Sequence, residues 1–528
     1  MVSQILDPDK SLSQAVKRMS TWLSVAGAQP PSSDTYRVHT SQSKLDSCFE
    51  RGINRGQPHT DSRPTNRRNS LWRPKAGKKG AALYAAMGQH QSVNIRQISR
   101  TRAEQVGYYR FLENENVTVS ELVRSLSEHC QQQVEKRHVL AISDSSEINL
   151  QSHAGRLKPD KLGVVGNNTD VGFYIHPTLV LDAENGFPLG LSTVQLWSRD
   201  LAHQDKHERK YQHLPIEQKE SYKWLASAER SQWCLSNGAA TMVTHIGDRE
   251  SDLYEEWATV PNQHNHVLVR VCQDRRLLGQ SQSLYTYLRE QPCQGTYTID
   301  LPADPRIGRT AREALLIIRC ALVQIQRPDK LKAQDYPPSI TLYAVEAIEV
   351  NPPPGEEAIH WRLLTTHRVV GVEQALQVIE WYRWRWRIEQ LFATLKKAGL
   401  NLEATQLESV EAIQRLTVLA LGVAVRTLQM VEGRENKDLP ASVTFCDEQQ
   451  QCLEVIAPSL QGRTKKLQNP YPPASLPWAT WLIARLGGWS GYSSQRPPGM
   501  PTLVHGLRQF ESIFLGWKLA QNQLLCTR

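Results

Sequence analysis

The chain is predicted to be a mixed α/β protein, on three observations. Short apolar runs end in an acid, two longer apolar runs flank a turn, and sustained helical periodicity follows. The first run, His138-Val139-Leu140-Ala141-Ile142-Ser143-Asp144, reads as a buried strand that delivers Asp144 at its end, with Ser145 and Ser146 behind it. Met242-Val243-Thr244-His245-Ile246-Gly247-Asp248 repeats the pattern. Gly247 lets the backbone approach closely, and a helix is expected to begin at Arg249, Glu250 and Asp252. Two strand-end aspartates of this kind can sit side by side.

The other elements follow in order. Residues Gly27 to Gly80 are rich in Pro, Ser, Asn and Arg and poor in aliphatics, so segment 1–80 is expected to be a disordered head. Residues 81–134 carry a helical pattern, with YYRFLENEN (Tyr108 to Asn116) marking a helix end. Phe173 to Leu181 and Leu189 to Trp197 read as strands joined as a hairpin around Asn185-Gly186, and Val267 to Val271 as another strand. A strand-rich stretch follows at about 273–360, including Leu315 to Val323 and Thr341 to Ile348. Periodicity is helical from Val372 to Met430. Segment 433–528 holds a Pro-rich loop (Asn469 to Pro477) and helices at Trp478 to Leu486 and Leu503 to Gln521.

At 528 residues the chain exceeds one ordinary core, so two or three domains are expected. Lysine plus arginine outnumber acids 62 to 53, for a net charge of +9, which is compatible with a nucleic-acid partner without requiring one. The 9 cysteines are scattered without C-x-x-C or zinc-type spacing and read as reduced thiols, hence a cytoplasmic protein. No signal-peptide layout opens the chain. The most apolar window, Leu416 to Val425, is too short to cross a bilayer and is followed by Arg426.

The most informative stretch is YRWRWRIEQLFATLK, from Tyr382 to Lys396. At about 100° per residue, Tyr382, Arg385, Glu389 and Lys396 fall within roughly 60° of one another on a single helix. Trp384, Ile388, Leu391, Phe392 and Leu395 fall elsewhere as a core face. A carboxylate among cations suits metal and phosphate together, while the plainer reading is a solvated helix with an Arg385–Glu389 pair. With Asp144 and Asp248, Glu389 would complete three hard oxygen ligands of the type Mg²⁺ or Mn²⁺ prefers, spaced for two ions.

These residues resemble the insertion-sequence-four family of DDE transposases, marked by a Y-(2)-R-(3)-E-(6)-K pattern whose every spacing Tyr382, Arg385, Glu389 and Lys396 match. Further matching stretches are YRFLENENVT from Tyr109, DRESDLYE from Asp248, NPPPGEEAIHWRLLTT from Asn351 and LPWATWLIARLGG from Leu476. The likeness runs from about Ala81 to the C-terminus. It implies an RNase H-like α/β core at 135–432 with a β insertion at about 273–360, a helical DNA-binding region at 81–134, and a helical C-terminal dimerisation domain at 433–528. Simple capping of the core by that last segment is the alternative.

By the same resemblance Asp144, Asp248 and Glu389 are catalytic and hold two Mg²⁺ or Mn²⁺ ions, and Trp361 stacks on a flipped base. Arg110 and Arg270 touch DNA backbone, Arg385 and Lys396 bind phosphate beside the scissile bond, and Tyr382 donates a hydrogen bond to a neighbouring phosphate. The implied partners are double-stranded transposon-end and target DNA and a second copy of the chain on paired ends, and the implied route is cut-and-paste with a hairpin intermediate. The Gly-Asp-x-Arg type motif expected near the start is absent from the head. A nuclease that cuts without joining and an inactive DNA-binding relic stand as alternatives.

Overall fold

The computed structural model describes residues 74–158, 163–200, 214–301, 303, 308–397, 399–492 and 496–526. The chain divides into a unit at Met1–Arg68, outside the described residues, and a unit at Asn69–Arg528. The expected disordered head therefore lies outside the description up to residue 73, and a helix already begins at Pro74.

Helices α1 (Pro74–His90), α2 (Ile95–Ile98), α3 (Arg102–Glu113) and α4 (Val119–Gln131) form the first layer. Thr101 caps α3, and Thr118 with Glu121 closes a capping box on α4, so orphan N–H groups are satisfied at both starts. Next come β1 (His138–Ser143), β2 (Ser146–Asn149), β3 (Val164–Val165), the long hairpin β4 (Asp170–Asp182) and β5 (Pro188–Trp197), α5 (Tyr222–Asn237) and β6 (Met242–Gly247). A single 3-10 turn, Arg249–Ser251, separates β6 from α6 (Tyr254–Thr259); the helix expected directly after Asp248 is thus displaced by one turn. The chain continues through β7 (Asn265–Arg270), α7 (Leu284–Glu290), β8 (Gly295–Leu301), β9 (Arg312–Gln326), β10 (Ser339–Glu349) and β11 (His360–Thr365). It ends with α8 (Val372–Trp384), α9 (Trp386–Lys396), α10 (Val410–Glu432), α11 (Asp447–Leu460), α12 (Leu476–Leu486) and α13 (Met500–Cys526).

The strands join into one sheet in the order β2-β4-β1-β6-β7-β11-β10-β9-β8, with β5 paired to β4. The β4–β5 and β1–β4 pairs are antiparallel, whereas β1–β6 and β6–β7 are parallel. A large mixed sheet with helices on its faces is compatible with an RNase H-like core. Strands β8 to β11 extend this same sheet through the β7–β11 pair. The stretch expected as an insertion is therefore continuous with the core sheet.

Alternation along each strand sends successive residues into two cores. Leu140 and Ile142 enter the core built with α1, α3, α8, α9 and α10. Val139 and Ala141 enter the other, together with Trp478 and Leu482 of α12 and Leu503, Phe510 and Phe514 of α13. The C-terminal helices thus share a core with the central strands. Nearly the whole of α10 is buried, as a helix apolar on all sides requires. Among the described residues no helix is long and apolar enough to cross a membrane.

Candidate active site

The β1–β6 register pairs Ile142 with Ile246. Two residues further on, Asp144 and Asp248 leave adjacent parallel strands at the same level, and neighbouring strands lie about 4.8 Å apart. Each aspartate orders its own turn: Asp144 Oδ1 accepts from Ser145 N–H (2.7 Å), and Asp248 Oδ1 from Glu250 N–H (2.8 Å). Gly247 is required here, because a Cβ would lie 2.3 Å from the Ser251 side chain.

Glu389 arrives from α9, and the hairpin holds that helix in place. Trp381 Nε1 donates to Ala183 O (3.0 Å), Arg387 donates to Gly186 O, and Arg387 also pairs with Glu432 at 2.8 Å. Gly186, at φ +73°, makes the turn that allows this approach, since a Cβ would meet the Arg387 guanidinium and the Trp384 ring. The expected continuous helix is in fact broken at Arg385. Its N–H bonds to Tyr382 O (3.1 Å) and its carbonyl accepts from Ile388 N–H (3.1 Å), both i,i+3 bonds that tighten the turn. No Gly or Pro marks the break, so the chain carried no local signal of it.

The break changes the expected face. Tyr382 is only 7% exposed and lies in the core, whereas Trp386 is 57% exposed. Tyr382 is therefore not on a free polar face; it lies beside Arg270, and the Arg385 guanidinium lies 5.9 Å from its ring centroid. The break also aims Arg385 at two acids at once: one nitrogen is 2.9 Å from Asp144 Oδ2, the other 2.6 Å from Glu389 Oε1. The i,i+4 pair of the plainer reading exists, and it is bridged to the strand-end acid.

Burial first, and Asp248 second, push the Asp144 carboxyl up to about 6; Arg385 and the Ser145 N–H oppose this, and Glu389 adds to it. Negative charge at this point exceeds what one guanidinium neutralises. Arg385 occupies the space between Asp144 and Glu389, and among the described residues no three His, Cys, Asp or Glu side chains are gathered closely enough to hold a metal directly.

The remaining residues divide. Lys396 Nζ donates to Glu147 O (2.6 Å) and pairs with Glu403 (3.1 Å), bracing β2 rather than reaching the acids. Arg270 donates to His360 O (3.1 Å); burial, then the nearby Arg249 and Arg385, hold its pKa below normal against the opposing Tyr382. Trp361 is half-buried on β11, paired with Ala347 and packed against the first core. Arg110 is exposed on α3, and no hydrogen bond or ion pair among the described residues connects it to the acids.

Sequence reasoning missed His176. Fully buried on β4, it bonds through Nδ1 to Ser145 Oγ (2.9 Å) directly behind Asp144, and its pKa lies well below normal because of burial and, secondarily, Lys223. A lone histidine in an apolar strand gave no signal for that role.

Residues 327–425 match the family model described as the transposase DDE domain. The span takes in Trp361, Tyr382, Arg385, Glu389 and Lys396, and leaves Asp144 and Asp248 outside. The matched stretch is similar to a transposase DDE domain, which supports a DDE transposase, an enzyme that acts on DNA in the transposition of a mobile element.

Proposed function

We propose that this is a cut-and-paste transposase of the insertion-sequence-four type, dependent on two Mg²⁺ or Mn²⁺ ions held by Asp144, Asp248 and Glu389. The reading rests chiefly on the Asp144–Arg385–Glu389 bridge beside Asp248: three hard carboxylates and one guanidinium at a sheet end. The crowding that raises the Asp144 pKa is the situation an added cation relieves, and oxygen donors suit Mg²⁺ or Mn²⁺. When bound, the ions would activate the attacking oxygen and stabilise the leaving one.

The chain's own residues position the strand. Arg385 exchanges its carboxylate partners for two oxygens of the scissile phosphate, which its planar fork fits. Tyr382 and Arg270, which lie side by side, bind the adjacent phosphate, and Lys396 leaves Glu147 and Glu403 to reach the backbone from the next turns of α9. Trp361 supplies a surface for a flipped base once packing around β11 opens. Arg110 contacts backbone further along the duplex, and two copies act across paired ends.

Four displacements then share one site. Water attacks phosphorus and the 3′ oxygen leaves as a hydroxyl; that hydroxyl attacks the opposite strand to close a hairpin; a second water reopens it; the freed 3′ hydroxyl joins target DNA. Each step forms one P–O bond and breaks one.

The test is incubation of the full chain with Mg²⁺ and duplexes taken from the DNA flanking its gene. Nicked, hairpin and joined products are expected in that order. Nicks without joined product would reduce the reading to a nuclease, and end binding without nicks would reduce it to a relic.

A further inference from the structure

Immediately past Asp248 the structure contains a cavity of about 240 Å³, lined by Arg249, Arg270, Arg362, Tyr285, His360 and Cys272 among others. The volume is below the range of about 300–1,000 Å³ typical of clefts for cofactors and drug-sized ligands, so the ligand should be small. Three guanidiniums converge on it. Their chemistry selects an anion, and their planar forks select paired oxygens such as those of a phosphate.

The nearby acids are already engaged. Glu346 accepts from Arg319 (2.9 Å), His360 (2.8 Å) and Arg362 (3.0 Å). Asp252 pairs with Arg275 (2.6 Å) and accepts from the Cys272 and Gln273 N–H groups (2.8 and 3.0 Å), which fixes the loop after β7 as one wall. Among the described residues Arg249 and Arg270 form no ion pair, and Arg249 is exposed. Positive charge on the cavity wall therefore exceeds negative.

The cavity is also distinct from the Trp361 side of the sheet. Successive residues of β11 face opposite ways. Trp361 packs with the core under α8. Arg362 lies on the other face, 3.9 Å from the ring centroid of Tyr285, which packs into a third core. This stack pre-orients one guanidinium.

We propose that this cavity binds a backbone phosphodiester of the DNA strand passing Asp248, gripped by Arg249 and Arg362 on the sheet face away from Trp361. The inference rests on the transposase reading and adds a phosphate contact that the Tyr-Arg-Glu-Lys set does not contain. A phosphodiester fits the volume and charge, and Cys272, an exposed thiol on the wall, reports its occupancy.

The experiment uses the full chain, a fluorescent duplex and N-ethylmaleimide. Burial and the Asp252 carboxylate raise the Cys272 thiol to about 11, so labelling is done at mildly alkaline pH, with exposed Cys293 and Cys446 as internal references. Saturating duplex is expected to slow modification of Cys272 while leaving Cys293 and Cys446 unchanged. Arg249→Gln should abolish that protection and lower the slope of log Kd against log salt by about 0.9, one phosphate contact on a duplex. Arg362→Gln should do the same, and Arg362→Lys should restore the slope without the full affinity. Arg249 is exposed, so its variant tests the proposal even if Arg362 variants misfold. Duplex binding with Cys272 unprotected would overturn the cavity while leaving the transposase reading standing. Equal protection by inorganic phosphate, with an unchanged slope in Arg249→Gln, would mark a free-phosphate site and overturn the DNA assignment. Absence of duplex binding by the unsubstituted chain would remove both readings.

Discussion

The two ends of β1 and β6 carry opposite kinds of titratable cluster. At the C-terminal end, Asp144 lies near Asp248 and is bridged through Arg385 to Glu389, and the Asp144 carboxyl is pushed up. Toward the other end, His138, His266 and His367 crowd together without a charge to spare. His138 Nε2 and His367 Nε2 both meet Thr244 Oγ1, at 2.8 and 2.7 Å, and the His266 and His367 rings stack at 4.0 Å. The Thr244 hydroxyl can donate to one imidazole and accept from the other, so neither ring needs a charge to be satisfied. Burial first, and then His266, hold His138 down to about 4, with Asp182 opposing. Counting ionisable groups would rate the two clusters alike. The difference is charge balance: the histidines have neutral partners, whereas the carboxylates have more charge than their single guanidinium offsets.

The largest expected effect is on chemistry at the carboxylate end. Asp248→Asn or Glu389→Gln should lower Mg²⁺-dependent nicking by well over about a hundredfold, since removing even outer-shell partners of metal ligands costs 10- to 100-fold. His138→Gln should leave nicking per folded molecule within a few-fold. Comparable losses in all three variants would erase the functional contrast.

Next in size is a packing effect outside both clusters. Phe510→Ala on α13 should destabilise the whole described unit by about 3–5 kcal/mol, because Phe510 shares a core with Val139, Ala141 and Val243. Denaturant unfolding followed by near-ultraviolet and far-ultraviolet circular dichroism should shift as one transition. A separate early transition would restore an independent C-terminal domain.

The two ends should also respond to pH with opposite signs. Asp144 has its folded pKa raised from 3.8 to about 6, so its contribution to stability is full below 3.8 and is lost as pH rises towards 6. His245, buried one residue after Thr244, is lowered from 6.5 to about 4 by burial, so its contribution is full above 6.5 and is lost as pH falls towards 4. Each shift corresponds to about 1–3 kcal/mol after screening. Melting curves in chelator should show Asp144→Asn gaining on the parent as pH rises from 4 to 6, and His245→Asn gaining as pH falls from 6.5 to 4. Thr244→Val belongs to the same size class and should cost about 1–3 kcal/mol by leaving two part-buried imidazole nitrogens without a partner.

Much of the candidate site was legible because its signals are local. Two apolar runs each ended in an acid, and the Tyr382, Arg385, Glu389 and Lys396 spacings needed only counting. What stayed hidden depends on distant contacts. The break at Arg385 has no Gly or Pro and is held by tethers to the β4–β5 turn. Tyr382 is buried as a consequence, and Lys396 turns to β2, a strand of four residues too polar and short to announce itself. Helix α11 was missed because Pro458 interrupts a largely polar pattern. The docking of α12 and α13 could not be read, since an amphipathic helix does not name the surface it covers.

The central claim is that Asp144, Asp248 and Glu389 form one cation site once Arg385 lets go. Calorimetric titration of Mn²⁺ into the full chain and into Asp144→Asn, Asp248→Asn and Glu389→Gln tests it directly. Saturable binding in the parent, weakened in each of the three variants while their melting transitions remain cooperative, is the expected result. Four superimposable isotherms would contradict the claim.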